Sequence, residues 1–223
     1  MSMNTLTKIF ASTLFLLVAL TGCSENEMPK EGVKYTVVET PTEGVADVVE
    51  VFSLGCGHCR NMELMLPEIK KLAEVEIDQV HVTFNESAQY AAYLYYTAAV
   101  QSNGKPSPEL KESLFGFVQE LAADLDEEGR KNKLDEIFSQ YDLVSPFDLN
   151  DEQKEQVYQQ MTSANQLEQN AQITSVPSFL VKGKYLVQNG AHDSLEDLAN
   201  TIRFLSEKQQ TMLSGLTNAS PDT

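Results

Sequence analysis

Cys56 and Cys59 stand two residues apart in Cys56-Gly57-His58-Cys59. Cysteine reacts as its thiolate, and two thiols at this spacing can interconvert with a disulfide. The run Val48-Val49-Glu50-Val51-Phe52-Ser53 precedes them and reads as a buried strand. Arg60 to Leu72 follows and reads as a helix, with Met62, Met65, Leu66, Ile69 and Leu72 on one face. Pro67 should kink or break that helix. A strand-to-helix junction puts Cys56 at a helix N-terminus. There, unpaired N–H groups and the helix dipole favour an anion. The pattern points to thiol–disulfide exchange.

Other chemistries fit less well. A zinc site needs two more ligands, and His58, His81 and His192 match no common zinc spacing. Arg60 follows Cys59, so the C-x-x-C-H haem signature fails. No metal or cofactor is expected. His81 and His192 read as structural or surface residues. His58 is either an exposed spacer or a donor that stabilises the Cys56 thiolate, which would make the disulfide more oxidising. Glu50 is the odd residue in its strand and, by alternation, shares a face with Val48 and Phe52. It points either outward or inward, where a carboxylate is costly without a role or partners.

The chain has 223 residues, room for one domain or one domain with a large insertion. Its formal net charge is −17, and no basic cluster stands out, which argues against a nucleic-acid partner. Lys8 precedes the apolar run Ile9 to Leu20, which suits a signal segment and is too short to span a membrane. The run ends in Leu20-Thr21-Gly22-Cys23, which looks like a bacterial lipobox with Cys23 as the lipidated residue. The alternative is a plain secretory signal beside a chance cysteine. Ser24 in place of aspartate, by similarity to known lipoproteins, favours the outer membrane over the inner one. With Cys23 lipidated, Cys56 and Cys59 must act with each other or with a partner. Disulfides persist in exported compartments.

Strands are expected at Tyr35–Glu39, Val48–Ser53, Val80–Phe84, Ser178–Val181 and Tyr185–Val187, the last two joined by a hairpin at Lys182-Gly183-Lys184. Helices are expected over 87–101, 108–125, 131–141, 151–171 and from Asp193 or Ser194 to about Gln209, with Gly129 as one separator. Tyr90, Tyr93, Tyr95 and Tyr96 read as core of the helical region. The order predicts an α/β unit split by an all-helical insertion. The expected divisions are a signal at 1–22, a tether at 23–32, the first α/β part at 33–85, the insertion at 86–160, the second α/β part at 161–212 and a flexible tail at 213–223.

These features together resemble the DsbA family of periplasmic thiol–disulfide oxidases. The resemblance rests on Tyr35–Glu39, Val49 through Cys59, His81-Val82-Thr83-Phe84, Val176-Pro177 with Gly183-Lys184-Tyr185, and Phe204 to Lys208. It implies a thioredoxin-like fold with an inserted helical domain. It implies a redox-active Cys56–Cys59 disulfide, with Cys56 partly exposed and Cys59 buried. It implies that Glu50 helps move the proton of Cys59. It also implies a cis peptide at Val176-Pro177 facing the cysteines and binding substrate backbone; the plainer reading is a trans proline at a strand start. The family often has a lysine before the third strand where Gln79 stands, so that pairing should be missing. Gly57 replaces the usual proline and gives the dipeptide of protein disulfide isomerase. That enzyme is a milder oxidant, at about −180 mV against about −120 mV for DsbA. The implied partners are reduced exported proteins and a quinone-linked membrane oxidase resembling DsbB. A reductase or isomerase of the same fold, and a lipid-anchored binding protein for unfolded chains, are the alternatives.

Overall fold

The computed structural model describes residues 28–216. The expected signal segment, Cys23 and residues 217–223 lie outside the described residues. Five strands form one mixed sheet: β1 (Tyr35–Val37), β2 (Val48–Phe52), β3 (Asp78–His81), β4 (Ser178–Val181) and β5 (Tyr185–Val187). Their order is β1-β5-β4-β2-β3, with β2 and β3 parallel and the other pairs antiparallel. Helix α1 (Gly57–Ala73) links β2 to β3. Helices α2 (Glu86–Gln101), α3 (Pro108–Gly116), α4 (Glu127–Ser139) and α5 (Asp151–Asn170) all come between β3 and β4, and α6 (Leu195–Leu216) closes the chain. This is a thioredoxin fold interrupted by helices.

Alternation along β2 divides the core. Val48 packs with α1 and α6 through Met62, Leu66, Ile69, Ile202 and Leu205. Val49 and Val51 face the other way, against Leu167 and Ala171 at the end of α5. Phe52 enters a third cluster with Cys59, Tyr95, Phe115 and Phe117. Gly183 is fixed by sterics: its φ is +61°, and a Cβ there would meet the Thr42 carbonyl oxygen at 2.0 Å.

Several boundaries differ from the sequence reading. Strand β3 runs over Asp78–His81, earlier than expected: the Val82 N–H still reaches the Phe52 carbonyl, but the next donor along β2, the Leu54 N–H, goes to His81 Nε2 instead of continuing the ladder. Phe84 is exposed. Helix α1 starts at Gly57 and continues through Pro67 without a break, and Met65 lies outside its buried face. Helix α3 stops at Gly116 and passes into a π-helical turn, Phe117–Leu121. Helix α4 begins at Glu127 because the Asp126 carboxylate caps the Gly129 N–H, so Gly129 lies inside the helix. Tyr95 and Tyr96 are core residues, but Tyr90 is exposed. Residues 30–34 already form a hydrogen-bonded turn within the expected tether. Helix α6 reaches Leu216, into the expected tail.

Candidate active site

Cys56 is the N-cap of α1, with φ −101° and ψ 113°. Its Sγ accepts from the Cys59 backbone N–H at 3.3 Å, the place a serine or aspartate oxygen takes in an ordinary cap. The sulfur is partly exposed and within 3.5 Å of the Val176 carbonyl oxygen, to which the thiol donates. The Val176-Pro177 peptide is cis. Cys59, one turn into the helix, is 0% exposed. Burial pushes its thiol far above the ordinary value, and the neighbouring Cys56 sulfur and Glu50 add to this. Both cysteines are free thiols. One is thus reachable, and the other is shielded and reluctant to ionise.

Gly57 is the first helical residue and His58 the second, both exposed. A Cβ on Gly57 would meet nothing within 4 Å, so sterics do not require glycine there, and a first helical position accepts proline well. His58, Arg60, Leu64, Glu112 and Glu120 line an open hollow beside Cys56. Arg60 binds Glu112 of α3 and Glu120 of the π-helical turn, each at 2.5 Å, and so ties the active-site helix to the inserted helices. Leu64, 82% exposed, leaves an apolar rim on that hollow.

The loop ahead of Cys56 is held by side chains that the sequence reading did not assign to the site. The Leu54 N–H donates to His81 Nε2 at 2.8 Å, and the Leu54 carbonyl accepts from Gln119 Nε2 at 2.7 Å. Gln119 sits on the π-helical turn, a local irregularity that often marks functional positions. His81 Nδ1 lies 2.7 Å from the Val82 carbonyl, so Nδ1 carries the proton and Nε2 accepts. Pro177 is restrained in the same way, its carbonyl accepting from Asn189 Nδ2 at 2.8 Å. No sequence signal distinguished Gln119 or Asn189. His192 is engaged elsewhere, by Gln188 and Thr201.

Burial holds His81 neutral, lowering its value from 6.5 to about 4. The unfolded chain therefore binds a proton that the native state refuses between those values. Stability should be complete above pH 6.5 and fall as the pH drops towards 4, by about 3 kcal/mol from this group. Denaturant titrations of wild type and His81→Ala across that range should diverge accordingly. The variant should lose this acid slope and be less stable at neutral pH by about 2–4 kcal/mol. Parallel curves at every pH would remove His81 from the account.

Glu50 lies inside, 0% exposed, on the face of β2 shared with Val48 and Phe52. In the parallel register it stands opposite Gln79, whose Nε2 donates to Glu50 Oε2 at 2.7 Å. Burial raises the Glu50 carboxyl to about 8, against the opposing pull of Gln79 and Lys111. Gln79 carries no charge, yet the site does not lack a cation. Lys111, on α3 and only 8% exposed, reaches Gln79 Oε1 at 2.6 Å and Glu63 Oε2 at 2.5 Å. Among the described residues, no three His, Cys, Asp or Glu side chains are placed to hold a metal ion.

The family model described as Thioredoxin matches residues 39–202. The thiol:disulfide interchange protein DsbA of Bordetella parapertussis is 25% identical over 201 residues, covering 83% of this chain and 88% of that protein. The Bordetella pertussis DsbA is 26% identical over 156 residues, 65% of this chain and 67% of that one. Pseudomonas aeruginosa DsbA superposes with a TM-score of 0.63 at 21% identity, over 83% of this chain and 97% of that chain. Reduced DsbA1 of Neisseria meningitidis gives 0.62 at 23%, over 85% and 99%. The structural matches bear on the fold.

Proposed function

Because the chain belongs to the thioredoxin family and is a DsbA-like thiol–disulfide oxidoreductase, we propose that it donates the Cys56–Cys59 disulfide to reduced exported proteins. The observation that carries this reading is the asymmetry of the two sulfurs: Cys56 caps a helix at the surface, and Cys59 is buried beneath it. A substrate thiolate attacks Cys56 Sγ, and the Cys56–Cys59 bond breaks. The electron pair leaves on Cys59 Sγ, which takes a proton. A second substrate thiolate then attacks the substrate sulfur of the mixed disulfide, and Cys56 leaves as a thiolate. The substrate gains a disulfide and gives up two electrons, which the enzyme holds as its dithiol. A quinone-linked membrane oxidase resembling DsbB removes them.

Protein groups have assignable parts in this cycle. Glu50 supplies and later removes the Cys59 proton, since its carboxyl titrates near the working pH and can act in either direction. Val176 and Pro177 present backbone to the substrate beside Cys56, where the Val176 carbonyl already meets the sulfur. His58, exposed on the first turn of α1, acts as a donor to the Cys56 thiolate. The enzyme works in the periplasm, held by a lipid on Cys23, at the outer membrane.

Thiol trapping in exporting cells tests the direction of flow. The pair should be found mainly as the disulfide, and the purified oxidised protein should oxidise a reduced test protein. Cys23→Ser with a cleavable signal should be soluble and equally active. A pair found reduced at steady state would support the reductase or isomerase reading, and absence of turnover would support a binding protein.

A further inference from the structure

We propose that Lys111, carried by the helices between β3 and β4, is a positioning residue for the exchange reaction. By holding the Gln79 amide in one orientation, it decides which oxygen of Glu50 carries the proton passed to and from Cys59. This rests on the reading of Glu50 as the proton group.

A lysine ammonium only donates. Lys111 Nζ lies 2.6 Å from one end of the Gln79 amide, so that end is the carbonyl oxygen. Nε2 then faces the other way, and its two hydrogens go to Glu50 Oε2 and to Glu63 Oε1. Oε2 of Glu50 is thereby an acceptor. The proton of the neutral carboxyl belongs on Oε1, which is buried and has no other hydrogen-bond partner among the described residues. Without Lys111 the amide is free to turn over, present its oxygen to Glu50, and draw the proton onto Oε2.

Charge gives the same residue a second effect. The groups acting on Glu50 are Cys59, Glu63 and Lys70 of α1, Lys111 of α3 and Tyr95 of α2, and the β4 residue opposite it is apolar Phe179. Glu63 and Glu50 share the nearby Lys111 ammonium. Lys111 neutralises Glu63 directly through the 2.5 Å pair. Removing Lys111 leaves Glu63 uncompensated beside Glu50 and makes Glu50 harder to ionise. Removing the Glu63 charge does the reverse. The active-site proton is therefore under control of a residue from the inserted helices, which the α/β unit alone does not supply.

The test is stopped-flow oxidation of a dithiol peptide by the oxidised protein across the neutral and alkaline range. Rates are taken as ratios to wild type at each pH, which cancels ionisation of the peptide thiols. Lys111→Met should move the alkaline limb up by about one pH unit, a rate about tenfold above wild type beyond the wild-type limb. Glu63→Gln should move it down, and it carries the test if Lys111→Met does not fold. Lys111→Arg should hold the wild-type position, and adding Gln79→Lys to Lys111→Met should bring the limb back down. Glu50→Gln should abolish the limb. A limb that survives in Glu50→Gln overturns both the Glu50 reading and the proposal. A limb lost in Glu50→Gln but unmoved in Lys111→Met and Glu63→Gln overturns the role of Lys111 alone. So does a rate change that is uniform in pH and not reversed by Gln79→Lys.

Discussion

Changing Cys59 to serine should cause mixed disulfides between Cys56 and exported proteins to accumulate in the cell. Cys56 Sγ is at the surface and capped by the helix, so it remains reachable and reactive. The attack by which Cys59 would reclose the pair and expel a bound protein is gone. Oxidase turnover should fall by about 10³-fold or more, the scale on which loss of a nucleophile acts. Cys56→Ser should be equally inactive but trap almost nothing, because Cys59 is fully buried behind it. Non-reducing electrophoresis of both variants separates the cases. Adducts on Cys59 instead of Cys56 would reverse the assigned roles, and adducts on neither would leave binding without exchange.

Replacing Glu50 with glutamine should make the protein more stable and slower at once. The carboxyl's value is raised from 4.5 to about 8, so the native state holds a proton that the unfolded chain has released. Its contribution is therefore intact below pH 4.5 and is lost as the pH rises towards 8. By pH 7 the deficit is about 3 kcal/mol, which the neutral amide does not incur. Denaturant titration should show Glu50→Gln more stable than wild type at pH 7, and the advantage should vanish near pH 4.5. Exchange should slow by about 10²-fold, as expected when a general acid–base group is removed. Such opposition between stability and rate is common where a strained group does the chemistry. A variant with unchanged stability at both pH values would mean that Glu50 is solvated or already compensated in the native state.

The order of strands and helices was legible in the sequence because it depends on local pattern. The β2 run, the amphipathic stretch after it and the Gly-containing hairpin each announce themselves within a few residues. The N-cap position of Cys56 was legible for the same reason: the motif itself stands at the junction of two local patterns. Boundaries were less so, since they turn on single competing hydrogen bonds. His81 ends β3 by taking the Leu54 N–H, and Asp126 starts α4 ahead of Gly129.

What surrounds the sulfurs was decided only by the tertiary structure. Alternation left Glu50 free to face either way, and burial under α1 settled it. Gln79 could be seen to lack a charge, but nothing in its neighbours told that Lys111, from a helix across the insertion, would reach the same cluster. The grips of His81 and Gln119 on Leu54 likewise join segments far apart in the chain, and Asn189 holds Pro177 across the β4–β5 hairpin. Local periodicity selects the secondary structure and the reactive thiol pair. The partners that govern the proton on that pair are set by strand register and by the docking of the inserted helices, for which a sequence carries no repeating signal.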